Sequence, residues 1–233
     1  MGGRDESWRA NGLVFKPHRS TAELEWLETL PVTTSVRVAR PVRSGDGRLV
    51  VDGWSAMPYL VGAHVPGRWR DIAEAGRSLS RELSEMIEPA WIRSRTDPWA
   101  EADRIAWEDQ KLPKAAPRWL RALAERRTPV DRPGTLIHGD LTGNVLFEEG
   151  LSPAVIDLSL YFRPSEFAVA IIVVDAVCFE GAPTSTRHLL TDADTEQLLL
   201  RAILFRATTD LVRDHDVAEG PYTSAIALLK AER

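Results

Sequence analysis

Apolar positions change their spacing along this chain, and the changes mark out its elements. Leu13-Val14-Phe15 is a short unbroken apolar run that ends at Lys16 and Pro17, which predicts a strand. Thr21 then stands where a helix cap belongs, and Leu24, Leu27 and Leu30 recur at helical spacing before Pro31, predicting a helix over 22–30. Residues 34–39 and 48–54 read as two strands joined by the turn residues Ser44-Gly45-Asp46-Gly47. Met57-Pro58-Tyr59-Leu60-Val61-Gly62 reads as an extended connector leaving that sheet.

From Arg68 the period becomes helical. Ile72, Ala75, Leu79, Leu83, Met86 and Ile87 share one face of a helix that should stop before Pro89. Further helical stretches are expected near 99–110 and 117–126. Three short strand-like pieces follow at 135–138, 144–147 and 154–157, separated by Gly and Pro. After Pro164 the pattern returns to helix near 165–179, 192–213 and 222–231. The expected architecture is α+β, a small β-rich front lobe over residues 1–62 and a larger helical back lobe over 63–233. It is not a doubly wound sheet, because strands and helices do not alternate.

Composition narrows the partners. The 233 residues are 44% apolar and 27% charged, ordinary values for a water-exposed globular chain. A single cysteine, Cys178, rules out an internal disulfide. The longest apolar run, Phe167 to Val174, is cut by Asp175 and is too short to span a bilayer. No basic start with an apolar stretch and cleavage site is present, so a cytoplasmic location is expected. The net charge of −5 is uneven: residues 1–150 balance 22 basic against 22 acidic groups, while residues 151–233 carry 7 basic and 12 acidic. That distribution argues against a nucleic-acid partner, which favours a basic face. It is compatible with a cationic or neutral small-molecule acceptor, but a solvated acidic surface explains it better.

Only four lysines occur, Lys16, Lys111, Lys114 and Lys230, so one placed on an apolar strand stands out. His18, His64, His188 and His215 show no metal-ligand spacing, and no nucleophile elbow or P-loop lysine motif is present.

The chemistry concentrates in His138-Gly139-Asp140-Leu141-Thr142-Gly143-Asn144 and in Val155-Ile156-Asp157. Asp140 and Asn144 sit four residues apart on a tight loop, where a base and an oxygen ligand for a hard cation can share one side. A hairpin turning at Glu149-Gly150 returns the chain to Asp157, a second carboxylate. This stretch resembles the aminoglycoside phosphotransferase and choline kinase-like families, relatives of protein kinases, whose loop reads H-G-D-x-x-x-x-N and whose hairpin ends in a metal-binding Asp. The resemblance implies a two-lobed protein-kinase-like fold and transfer of a phosphoryl group from ATP to an alcohol. It makes Asp140 the catalytic base, Asn144 and Asp157 the ligands of Mg²⁺, and His138 a support for the loop.

By the same resemblance Lys16 grips the nucleotide phosphates, with Glu23 of the following helix placed to pair with it. Glu25 and Glu28 compete for that pairing. Gly3, in the Gly2-Gly3 turn, would cover the phosphates, although almost nothing precedes it where such families have a strand. Either the first strand of the front lobe is missing or the loop is degenerate. Trp54 to Gly62 falls where these families have the hinge that binds adenine through its backbone, with Met57, Tyr59 and Leu60 either lining the slot or packing into the core. Glu166 stands where these families open a helix with an acidic residue, either to brace the loop or as a first-turn glutamate favoured by the helix dipole. Leu158-Ser159 replaces the Phe-Gly of protein kinases, which favours a small-molecule acceptor over a protein one. A non-catalytic, nucleotide-binding descendant of such a kinase is the alternative.

Overall fold

A computed structural model describes residues 7–18 and 21–229. Two compact units emerge: residues up to Val65 together with Asn144–Asp157, and residues 66–143 together with Leu158 onward. The expected front boundary at Gly62 therefore falls at Val65, and the 144–157 segment groups with the first unit.

In the first unit, β1 (Trp8–Ala10) and β2 (Leu13–Pro17) form an antiparallel hairpin, and β2 pairs on its other side with β4 (Trp54–Pro58). Asn11 and Gly12 join β1 to β2 with φ of 51° and 76°. Such a pair of left-handed residues twists the hairpin as its strands require, and Asn-Gly is the dipeptide that adopts it most readily. Asp52 and Gly53 do the same before β4, with φ of 49° and 81°, and Val51 and Trp54 exchange both backbone hydrogen bonds across them at 2.9 Å. Helix α1 (Thr21–Glu28) buries Leu24 and Leu27.

The hairpin expected from residues 34–39 and 48–54 does not form. The turn at Ser44–Gly47 is present, closed by Gly47 N–H donating to the Ser44 carbonyl at 2.8 Å. Its flanks, however, find other partners. Strand β3 (Arg37–Val38) runs parallel to β7 (Ala154–Val155), which in turn pairs antiparallel with β6 (Val145–Leu146). Val42 instead bridges to Ala56. Distant, fully buried Val155 offers β3 a better partner than its own turn does.

The second unit is helical around a two-stranded ladder of β5 (Thr135–His138) and β8 (Leu160–Arg163). Its helices are α2 (Trp69–Glu82), α3 (Ala90–Ser94), α4 (Pro98–Ala106), α5 (Arg118–Ala124), α6 (Ser165–Phe179), α7 (Thr195–Asp214) and α8 (Thr223–Leu228). Helix α2 stops at Glu82, short of the expected Ile87, because the buried stripe ends at Leu83 and Ile87 is exposed. Helix α6 is apolar all round and is buried from Phe167 to Val177. It packs against α2 on one side and α7 on another, so it forms the core of the unit. Among the described residues no helix is long and apolar enough to cross a membrane.

Candidate active site

The loop His138–Gly143 belongs to the second unit and is fixed from three directions. The β5–β8 register sets His138 opposite Leu160, and Gly139 N–H donates to the Ser159 carbonyl at 2.8 Å. Gly139 lies flat against the Tyr161 ring, so close that a Cβ there would stand 2.4 Å from a ring carbon. Leu141 is buried against Gly76 of α2, where a Cβ would meet its methyl at 2.5 Å. His138 is buried, and its Nδ1 accepts the Asp140 backbone N–H at 3.0 Å. That bond places the ring proton on Nε2 and ties the turn at Asp140 to the end of β5.

Asp140 itself is half exposed, and its Oδ1 accepts a hydrogen bond from Arg206 Nη2 of α7 at 2.8 Å. The same guanidinium grips Asp175 of α6 through Nε at 2.7 Å and Nη2 at 2.5 Å. Thr142 Oγ1 donates to Asp175 at 3.4 Å. Burial raises the Asp175 carboxyl, with the Arg206 charge opposing. For Arg206 the desolvation that would weaken its charge is outweighed by Asp175 and Asp140, so the guanidinium is held more firmly protonated than usual.

The first unit carries the remaining candidates. Ile156 N–H donates to the Asn144 carbonyl at 3.0 Å, and Val145 pairs with Val155, so the hairpin sets Asn144 and Asp157 at its open end. Asp157 adopts φ of 52°, a left-handed conformation costly for a residue with a Cβ and one that tends to persist at functional sites. Its carboxylate forms an ion pair with Lys16 Nζ, although the two residues lie 141 positions apart. Strand β2 presents Lys16 opposite Ser55 of β4, with both partners of the pair partly exposed. Lys16 and Asp157, identified from separate motifs, are thus brought into contact.

Other expected residues fare differently. Glu23 lies half-buried in the first turn of α1. Tyr59 and Leu60 are half-buried in the connector after β4, but the Tyr59 N–H donates to the Gly12 carbonyl at 2.8 Å and its ring stacks under Arg9. That amide is committed within the unit. Gly3 lies outside the described residues. Glu166 makes a two-pronged ion pair with Arg77 of α2 at 2.7 and 2.8 Å, so it braces α2 against α6 and not the loop. Sequence reasoning missed Arg206 altogether. Asp175 had left a signal: one carboxylate inside an all-apolar helix demands a partner.

The model of the phosphotransferase enzyme family matches residues 16–162, from Lys16 through β8. No curated protein matches the chain. Solved structures that it resembles include aminoglycoside 2'-phosphotransferase-IIIa in complex with GDP, at 17% identity and a TM-score of 0.59, covering 99% of this chain and 89% of that one. Spectinomycin phosphotransferase APH(9)-Ia, with ADP and spectinomycin, matches at 13% identity and TM-score 0.55, covering 99% and 86%. A thermostable mutant of aminoglycoside phosphotransferase APH(4)-Ia, with AMP-PNP and hygromycin B, matches at 12% identity and TM-score 0.61, covering 99% and 91%. These similarities extend over nearly the whole chain and show a protein-kinase-like fold. With the family model covering well over half of its residues, the chain belongs to the phosphotransferase enzyme family.

Proposed function

We propose that this protein transfers the γ-phosphate of ATP to a hydroxyl group of a small molecule. The observation that carries the reading is the Lys16–Asp157 ion pair, which joins the one lysine of the apolar strand to the carboxylate at the end of the hairpin. In this reading Asp140 accepts the proton of the acceptor hydroxyl, and Lys16 binds phosphate oxygens once the nucleotide displaces its partner. Asn144 and Asp157 suit Mg²⁺ because both offer hard oxygen donors, and the position beside Asp157 already accommodates a cation. When bound, that ion neutralises charge on the phosphates. Leu60 and its neighbours in the connector after β4 line the base, and Gly3 covers the phosphates. The resembled proteins were solved with GDP, with ADP and spectinomycin, and with AMP-PNP and hygromycin B. An alcohol acceptor in a small molecule is therefore the class to screen.

ADP release from Mg-ATP, and GDP release from Mg-GTP, should be followed over a panel of aminoglycosides, amino alcohols and sugars. One or more acceptors should accelerate release, and Asp140→Asn should reduce turnover by about 10²-fold or more while the chain remains folded. Near-normal turnover of the Asn variant would overturn the assignment of Asp140. Stabilisation by nucleotide with no release on any acceptor would favour a non-catalytic nucleotide-binding protein instead.

A further inference from the structure

Arg206 is only slightly exposed, on a helix whose buried positions are mostly apolar, with Arg201, Thr208 and Thr209 among the exceptions, and no motif accounts for it. Burying a guanidinium is costly, and Asp175, 6% exposed, already satisfies it with two parallel hydrogen bonds. A simple structural pair would stop there. Here the Nη2 group carries a further bond to Asp140 Oδ1 at 2.8 Å. The planar, rigid donor fork of arginine therefore fixes two carboxylates with respect to each other, one buried and one half exposed. Asp175 is in turn set on α6 and touched by Thr142 from the loop, so the whole group is referenced to packed helices α6 and α7.

We propose that Arg206 is a positioning residue for the Asp140 carboxylate, with Asp175 as the buried counter-charge that holds Arg206 to this role; this rests on the reading of Asp140 as the base. A half-exposed aspartate on a loop has two free torsions, and a general base must keep its oxygen within hydrogen-bond reach of the hydroxyl it serves. Arg206 removes that freedom. Asp175 cancels most of the guanidinium's charge, so Asp140 is oriented by a directional bond more than by the field of a bare cation.

The test uses Arg206→Lys, the double variant Arg206→Met with Asp175→Leu, and Asp140→Asn, assayed by ADP release with the best acceptor of the panel. The lysine keeps the charge but not the fork. The double variant removes both buried charges together, which avoids stranding Asp175 and preserves folding. Both should lower kcat roughly 10–100-fold, with KM for Mg-ATP within about twofold of the parent, as expected for a misaimed group. Crystal structures of both should show Asp140 in a new or mixed rotamer. A double variant that folds and retains kcat within about twofold overturns the proposal. Asp140→Asn with parental turnover overturns the reading beneath it, whatever Arg206 does. If the parent releases no ADP on any acceptor, the phosphotransfer reading fails, and the Asp140 rotamer in the double variant alone decides whether Arg206 positions it.

Discussion

Gly139 has no room for a methyl group, and this single contact shows how tightly the loop before Asp140 is specified. A Cβ would lie 2.4 and 2.6 Å from two carbons of the Tyr161 ring, and Tyr161 is itself buried and unable to yield. Gly139→Ala should destabilise the fold by about 1–3 kcal/mol in urea titrations, and Tyr161→Leu in the same chain should recover part of the loss. Additive losses in the double variant would show that the ring is not the obstacle. Tyr161 carries a second consequence. Burial pushes its phenol up to about 12 from an ordinary 10.0, so the neutral form is favoured by folding. Its contribution is complete below pH 10 and is lost as pH rises through about 12. Tyr161→Phe should therefore flatten the fall in thermal midpoint between about pH 10 and 12. Residues of this kind were legible only in part. Lys16 and Asp157 could be found because each ends a short apolar strand in a recognisable setting. Arg206 could not, being one of three arginines on a helix with no motif, and only its partner Asp175 broke an apolar pattern.

At the scale of elements, local chemistry explains what was legible and what was not. Helix α6 could be read from the apolar run Phe167–Val174 that follows Pro164, and α4 begins at Asp97-Pro98. Asp97 caps α4 by accepting the Ala100 N–H at 3.0 Å and also holds Arg95 in a two-pronged ion pair. Burial alone would raise its carboxyl, but Arg95 and the Ala100 amide prevail and hold it below the usual range. That stability is present above the unfolded carboxylate pKa and is lost as pH falls through the lowered folded value. Asp97→Ala should cost about 1 kcal/mol, within roughly 0.5–2, at pH 7. The gap between variant and parent in thermal unfolding should narrow below about pH 4, where the unfolded carboxylate protonates. An unchanged gap at low pH would locate the effect in shape and not in charge. Strands were harder to read. The Asp52-Gly53 turn falls inside the expected 48–54 strand and shortens it, while β3 offers only two residues and a partner more than a hundred positions away.

That distant pairing matters most for the whole molecule, because the first unit is assembled from two stretches of chain with residues 66–143 intervening. No local pattern announces such a closure, which is why the 144–157 hairpin was expected among the helices that flank it in sequence. Arg37 is the residue that secures it. Its backbone N–H donates to the Pro153 carbonyl at 2.8 Å, its Nε to the Ser152 carbonyl at 2.7 Å, and its Nη2 to the Val61 carbonyl at 2.8 Å. One side chain thereby links β3, the hairpin and the connector after β4. Bringing the ends of so long a loop together has an entropic cost that grows only slowly with length, so a few well-made charged hydrogen bonds suffice to offset it. Arg37→Ala removes both side-chain bonds and should raise the opening equilibrium of this closure about a hundredfold or more, since each such bond contributes roughly 1.5–3 kcal/mol. Native-state hydrogen exchange should then accelerate together at the amides of Arg37, Ala63, Phe147 and Ile156, which bond respectively to Pro153, Phe147, Ala63 and Asn144. If only the Arg37 amide accelerates, the closure is a set of independent contacts. Joint acceleration means that the Lys16–Asp157 pair, formed across the same two stretches of chain, depends on that closure holding as one cooperative unit.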